Sequence, residues 1–289
     1  MKSRSAVWIC LLLGSVLGTG HAWGAASPES VRKSAEASML VTGTVEVNPD
    51  GSLHGFSLDQ PEKLPAPVVD VIGKNMPRWS FKLSGATTEV VKSKMSLRIQ
   101  AKPMGDGKYG IQVAGASFGD DNVQSGEYVS FKSRPSPRYP RSAVDARVSG
   151  TVYLLLRIGR DGTVQEAIAE QVNLDQYGSN NEMNEYRRIL AKASLDAVKH
   201  WSYNLPTHGP VVNDPYWVVR VPVNFYLVEA GKPAKERHYG EWNAYIPGPR
   251  QSAPWVSRTL LSEAPDAMSG DGLHSGNAAL QLMTPLSGT

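Results

Sequence analysis

Cysteine is almost absent from this sequence. The 289 residues contain a single cysteine, Cys10, which lies in an apolar stretch near the N-terminus. One cysteine allows neither an internal disulfide nor a structural zinc site of cysteines. The six histidines are scattered, and no two of them have the i, i+4 spacing of a zinc protease. The sequence therefore gives no case for a metal centre, and we expect no cofactor.

Blocks of one charge are also absent. The formal net charge is +3 at pH 7, and it falls to +1 if Lys2 and Arg4 leave with an N-terminal leader (3 − 2 = 1). Without a basic block there is no electrostatic case for nucleic acid as a partner. The glycine-rich fingerprints of phosphate-binding and dinucleotide-binding loops are missing as well.

One hydrolase motif occurs, but its surroundings argue against catalysis. Residues 115–119 match the G-x-S-x-G pattern around Ser117. In hydrolases that pattern needs a helix directly after it, because the serine sits on a strained strand-to-helix turn. The polar residues that follow here show no apolar helical stripe. We therefore predict that the protein is not an enzyme.

Residues 1–26 have the features of an export signal. Lys2 and Arg4 supply the positive start, residues 6–17 the apolar stretch, and small residues a cleavage site. Glycines interrupt the stretch before the ~20 apolar residues that a spanning helix needs. We predict a cleaved signal peptide, a linker over residues 27–38 and a periplasmic protein. The alternative is an uncleaved anchor, which would hold the protein at the inner membrane.

The clearest pattern lies in residues 148–227 and predicts strand, tight turn, strand, helix, strand. Apolar and polar residues alternate from Val148 to Ile158, which is the period of a strand covered on one face. Asp161-Gly162 is typical of a hairpin turn. The last strand alternates again. The pattern predicts an α+β fold, in which a short antiparallel sheet carries one helix on one face (ββαβ).

An ordered set of short motifs in this region resembles the TonB C-terminal domain family. The motifs are Pro137-Arg138-Tyr139-Pro140, the Gly150-x-Val152 strand, Asp161-Gly162-x-Val164, Trp201-x-Tyr203 and a terminal valine-rich strand. TonB is the periplasmic end of the energy transducer that drives outer-membrane receptors. The resemblance implies a TonB C-terminal-like domain over residues 135–229.

The resemblance also implies a binding site. In the family, a short segment of the receptor pairs with the last strand near the Tyr-Pro pair. An edge strand can accept such a segment, because its N–H and C=O groups have no neighbour. Pro222 supports an edge position but weakens strand addition there, since it lacks an N–H. A capped or self-paired edge is the alternative. The predicted partner-binding residues are Tyr139, Pro140, Val218, Val219, Arg220, Val221, Val223, Asn224 and Phe225.

A shorter version of the pattern occupies residues 39–118. Its strand at 41–45 nearly repeats the strand at 148–152, and Trp79 precedes Phe81 as Trp201 precedes Tyr203. We predict a degenerate copy of the module, joined to the second module by a linker over residues 119–134. It lacks the Tyr-Pro pair, so we expect a structural role. Convergence of two unrelated small domains is the alternative.

Residues 230–289 are rich in proline, glycine and serine and predict an extended, largely disordered tail. Trp242, Tyr245, Ile246 and Trp255 are expected to pack back on the second module.

The sequence features and the resemblance together predict a periplasmic protein-binding module linked to TonB-dependent transport. The implied partners are a segment of an outer-membrane TonB-dependent receptor and, if the leader is uncleaved, an ExbB–ExbD-like motor. Pairing of two chains through edge strands stays open. The family's long proline-rich spacer is missing between the leader and the module, which argues against full energy transduction. The alternative is a structural envelope or assembly protein without receptor binding. An exposed last strand would favour the first function, and a strand covered by the tail or the first module the second.

Overall fold

The computed structural model describes residues 35–83, 86–106, 108–119, 126–209, 211–227, 239–256, 264–268, 272–275 and 280–286. The predicted leader and most of the linker after it lie outside these residues. Within the described ranges, no helix has the length and apolar character needed to span a membrane.

The described chain is mostly antiparallel sheet with few helices, in agreement with the α+β prediction. The α-helices are α1 (Ala66–Asn75), α2 (Arg141–Asp145) and α3 (Asn180–Val198). The strands are β1 (Glu36–Val47), β2 (Leu53–Leu58), β3 (Phe81–Leu83), β4 (Val91–Gly105), β5 (Lys108–Phe118), β6 (Ser130–Ser133), β7 (Gly150–Ile158), β8 (Val164–Leu174), β9 (Ser202–Asn204), β10 (Trp217–Phe225), β11 (Asn243–Tyr245), β12 (His274–Ser275) and β13 (Leu280–Leu282).

The second half of the chain forms a sheet with strand order β12-β10-β7-β8. Helix α3 begins with a capping box: the Ser179 N–H donates to Glu182 Oε2 at 2.8 Å, and the Glu182 N–H donates back to Ser179 Oγ at 3.4 Å. The helix buries Met183, Leu190 and Val198 in a core that it shares with β7 and β10. The helix therefore covers one face of this sheet.

The turn between β7 and β8 depends on Gly162. Its φ of 74° lies in the left-handed region, which favours glycine. The Gly162 N–H donates to the Gly159 carbonyl at 3.0 Å, and its carbonyl accepts the Tyr203 N–H at 2.9 Å. A Cβ atom at Gly162 would lie 2.6 Å from the Tyr203 carbonyl oxygen. The turn is thus tied to the strand that follows α3.

The first half shows the same local geometry. Its sheet contains β11-β1-β4-β5, with β2 also paired to β1, and α1 lies between β2 and β3 in sequence. Gly51 has a φ of 84°, and its carbonyl accepts the Phe81 N–H at 2.8 Å. A Cβ atom at Gly43 would lie 2.1 Å from the Ser57 carbonyl oxygen. Gly150 in the second half has the corresponding approach to Asn173, at 2.2 Å.

The predicted linker at residues 119–134 contains a strand in its described part. Strand β6 pairs with β9. The Phe131 ring packs edge-on against Trp201, with centroids 6.0 Å apart, and against Tyr203 at 5.3 Å. Four residues are too few to produce a recognisable period, so this strand could not be predicted from the sequence pattern.

The described parts of the predicted disordered tail form short strands. Strand β11 pairs with β1, β12 with β10, and β13 with β3. Tyr245 lies in β11 against the first half, whereas the neighbouring Ile246 bonds Leu174 of the second half in both directions, at 3.0 and 2.7 Å. Trp255 packs beside Val256 near the second sheet. These tail segments are therefore held by both halves, which composition alone did not indicate.

Candidate functional site

The predicted partner-binding strand is β10, and most of its side chains point into the protein. Val219, Val221, Val223 and Phe225 belong to the core under α3. Val218 packs on the opposite face of the sheet, against a small cluster that includes Ala253 and Val256 of the tail. Because these side chains are enclosed on both faces, a partner could reach β10 mainly through its backbone.

Arg220 is also enclosed, although the sequence placed it among the partner contacts. Its Nε and Nη2 atoms lie 2.6 and 2.9 Å from the two carboxylate oxygens of Glu170, and both side chains are 0% exposed. Arg250 of the tail donates to the same carboxylate at 2.5 Å. Burial of an arginine is tolerated here because a carboxylate meets its planar fork of donors. Arg220 therefore joins β10 to β8 and to the tail through Glu170.

The outer edge of β10 is partly occupied. On one side β10 pairs with β7 along its whole length, from Trp217 to Phe225. On the other side β12 pairs with it only at Val219 and Arg220. The Pro222 carbonyl accepts a hydrogen bond from Arg134 Nη2 at 2.8 Å. The tail thus covers the first part of the edge, which is the observation that the sequence analysis linked to a structural role.

Tyr139 and Phe225, two of the predicted partner-binding residues, lie in contact with each other. Their rings meet edge-on with centroids 5.3 Å apart, and the Tyr139 hydroxyl donates to the Val148 carbonyl. Burial raises the pKa of the Tyr139 hydroxyl. Pro140 directly precedes α2. The Tyr-Pro pair therefore fixes the entry segment against the end of β10.

Asn224 faces a polar environment on β10. Its Oδ1 atom accepts hydrogen bonds from Thr151 Oγ1 at 2.8 Å and from the Tyr226 hydroxyl at 3.2 Å. Tyr226 is 42% exposed. Asn224 and Tyr226 are thus the polar groups that lie closest to solvent at the end of the predicted site.

Ser117 does not have the surroundings of a hydrolase nucleophile. It lies within β5, paired with Ser96 of β4, and its side chain is buried. It borders a small cavity of about 180 Å³ that also includes Asp59 and His274. A serine inside a paired strand lacks the exposed, strained turn that activates such a nucleophile. Across the ranges that the structure describes, no group of three potential metal ligands occurs.

A second buried polar cluster was not predicted, and it joins the two halves. Asp266 of the tail lies 3.0 Å from Arg98 Nε of β4, accepts from the Tyr245 hydroxyl at 2.7 Å and accepts from Asn173 Nδ2 of β8 at 3.2 Å. Burial disfavours the charged form of Arg98 and so lowers its pKa. Asp266, Tyr245 and Glu36 favour the charged form more strongly, and the net effect is a raised pKa for Arg98. The sequence carries no signal for this cluster, because its members are far apart and Asp266 lies in the proline-rich tail.

We compared the chain with protein-family models, curated proteins and solved structures, and it matches two TonB proteins. No protein-family model matches the chain, and no solved structure matches it. Protein TonB from Xanthomonas campestris pv. campestris strain B100 and Protein TonB from strain ATCC 33913 are each 34% identical to it over 101 residues. The match covers 34% of this chain and 38% of each relative, so the chain spans less than two fifths of the relatives' length. The chain is therefore similar to TonB over about a hundred residues.

Proposed function

We propose that this protein is a TonB-like periplasmic module that binds an extended segment of an outer-membrane receptor at the edge of β10, in the service of TonB-dependent transport. The observation that carries the proposal is the state of that edge. Strand β7 pairs with all of β10, whereas β12 pairs with only two residues on the other side. Within the described ranges, no strand pairs with the outer side of β10 from Val221 to Phe225.

A partner strand would compete with β12 for the start of this edge. The β10–β12 ladder involves only His274 and Ser275 of the tail. Each backbone hydrogen bond contributes about 1 kcal/mol net in water, so a two-residue ladder is weak. A partner that pairs with more of β10 would replace these bonds and add others. Displacement of the tail would thus reduce the affinity of a partner strand only slightly.

The first half supports this interpretation by contrast. We propose that it is a second copy of the same module, because the β2-β1-β4 order repeats β8-β7-β10 and the turn glycines make the same contacts. In the first half the strand that corresponds to β10 is β4, and β5 pairs with its outer side from Met95 onward. The first copy therefore offers no strand-addition edge at this position and would serve a structural role.

A structural envelope protein is the second candidate, and one observation favours it. The tail crosses from β11 at the first sheet to β12 at the edge of β10. If the tail never leaves, β10 stays capped and the protein binds no receptor segment.

A disulfide lock distinguishes the two candidates. Val219 and Ser275 are partners across the β10–β12 ladder, and cross-strand partners have the Cα spacing that a disulfide needs. We would make Val219→Cys with Ser275→Cys in a Cys10→Ser background. We would then measure binding of synthetic N-terminal segments of the receptors from the same cell. Strand addition predicts binding to the reduced protein and at least tenfold weaker binding to the oxidised protein.

The control lock joins Ser38→Cys to Asn243→Cys, which are partners across β1 and β11. It fastens the tail without touching β10, so binding should not change on oxidation. Equal binding to both forms of the Val219–Ser275 lock would place the peptide elsewhere. If no receptor segment binds the reduced protein, the structural candidate stands.

A further inference from the structure

A groove of about 800 Å³ lies between the Tyr-Pro entry segment and the outer face of α3. Its floor includes Tyr139 and Pro140 on one side and Ile189 and Ala193 of the helix on the other. These four residues are partly buried, so they present apolar surface without filling the space between them. The volume is within the range of sites that hold small ligands or peptide side chains.

The groove is strongly cationic. Arg138, Arg141, Arg188 and Lys192 border it, whereas Asp196 is the one carboxylate among the residues that line it. The four cations and one carboxylate that line the groove sum to +3 (4 − 1 = 3). Glu185, which pairs with Arg188, lowers this local excess to +2 (3 − 1 = 2), so the groove keeps a positive charge.

Two of these cations have no acidic partner in the described parts of the chain. Arg188 pairs with Glu185 at 2.6 Å, and Lys192 pairs with Asp196 at 2.5 Å. Arg138 and Arg141 are exposed and form no such pair. An arginine fork binds a carboxylate through two parallel hydrogen bonds. Arg138 and Arg141 could therefore each bind one carboxylate of a ligand.

We propose that this groove binds an acidic, extended peptide segment of a partner protein. Carboxylates of the segment pair with Arg138 and Arg141, and an apolar side chain between them packs on Tyr139 and Ile189. The charge selects the peptide, and the recessed floor selects an extended chain over a flat membrane surface, which would touch only the rim. The groove adjoins the end of β10 through Tyr139, which contacts Phe225, but no residue of β10 lines it. Binding in the groove therefore does not depend on strand addition to β10.

The test uses the full chain and a fluorescent decapeptide in which glutamate and valine alternate. We expect it to bind, whereas the matching lysine–valine peptide does not. The double variant Arg138→Glu with Arg141→Glu should weaken binding at least tenfold, and Arg138→Gln with Arg141→Gln should weaken it less. Binding should also fall as salt rises. Circular dichroism and thermal melting establish that each variant is folded.

The matched control reverses two exposed cations of the first half, Lys74→Glu with Lys82→Glu, and changes the net charge equally. It should alter binding less than twofold. An equal loss in this control would overturn the proposal, because net charge alone would then explain the effect. Arginine-dependent binding of phosphatidylglycerol vesicles without binding of the peptide would overturn it in favour of a membrane surface.

The oxidised Val219–Ser275 lock separates this proposal from strand addition. The glutamate–valine peptide should bind the locked and reduced proteins equally, since β12 does not line the groove. Loss of binding on oxidation would place the peptide at the β10 edge and contradict the groove as its site.

Discussion

At the scale of single residues, Glu170 is a buried carboxylate that pairs with two arginines. Its carboxylate holds Arg220 from β10 and Arg250 from the tail, and it is completely buried. The alternation of β10 puts Arg220 on the face of the strand opposite Val219 and Val221, which belong to the core under α3. It could not supply the partner, because that depends on how the tail covers the sheet.

Replacement of Glu170 by glutamine should lower the free energy of unfolding by about 3 kcal/mol, since it leaves a buried guanidinium without its counter-charge. Urea denaturation at neutral pH measures this change. The control is Glu166→Gln, which breaks the more exposed pair with Arg157 and should cost less than about 1 kcal/mol. Equal losses would show that burial adds nothing to the pair.

Gly162 offers a second test at the residue scale. Alanine at this position must adopt a positive φ beside the Tyr203 carbonyl, and it should destabilise the protein by about 1–2 kcal/mol. Gly73→Ala in α1 is the matched control, because its Cβ atom meets no atom within 4 Å and alanine favours helix by about 1 kcal/mol. Opposite signs are expected for the two variants in thermal or urea unfolding, and a neutral Gly162→Ala would contradict the turn geometry.

Tyr203 predicts a dependence on alkaline pH. Burial raises the pKa of its hydroxyl, which finds no hydrogen-bond partner in the described part of the structure. A raised pKa in the folded state means that this contribution to stability is complete below the ordinary tyrosine pKa of about 10 and is lost as the pH rises above it. Tyr203→Phe should therefore lose less stability between pH 9 and about 11.5 than the parent protein.

Urea unfolding across this pH interval provides the measurement, with the exposed Tyr177→Phe as control. At pH 7 Tyr203→Phe should be neutral or stabilising by up to about 1 kcal/mol, since it removes an unpaired buried hydroxyl. An alkaline loss of stability in Tyr203→Phe that is as large as in the control would refute the assignment.

At the scale of elements, the predictable parts are those with local signals. The β7–β8 hairpin turn lies at Asp161-Gly162, where the sequence predicts it, and helix α3 starts with the Ser179 capping box. Both follow from patterns that are complete within the segment itself, namely a turn dipeptide and a capping box. Strands β6, β11, β12 and β13 have two to four residues, and each pairs with a distant part of the chain. Such strands depend on tertiary contacts, which no short window of sequence displays.

The candidate site also combines parts that the local sequence predicts with parts that depend on distant contacts. The alternation of β10 and the Tyr-Pro motif indicated the strand and the position of Tyr139, and the structure brings Tyr139 to Phe225. The two-residue cap on the edge was not predictable, because His274 and Ser275 lie about fifty residues beyond β10 in a segment without periodicity. Because β12 covers the start of the β10 edge, a partner strand can pair there only if this part of the tail leaves.

At the scale of the whole molecule, Asp266 connects the two halves through one carboxylate. It contacts Arg98 in the first sheet and Asn173 in the second. Replacement by asparagine should cost about 2–3 kcal/mol, because the buried Arg98 loses a counter-charge. The change should also free the tail, so limited proteolysis within residues 246–264 should become faster. The exposed Asp70→Asn in α1 is the control, and equal cleavage of both variants would contradict this role.

Amide hydrogen exchange of β10, measured with and without a receptor N-terminal segment, tests strand addition directly. Strand addition predicts that β10 amides gain protection when the segment binds, while β12 loses protection and β5 does not change. Protection confined to another edge, such as β8, or binding without any change in β10, would contradict strand addition at β10.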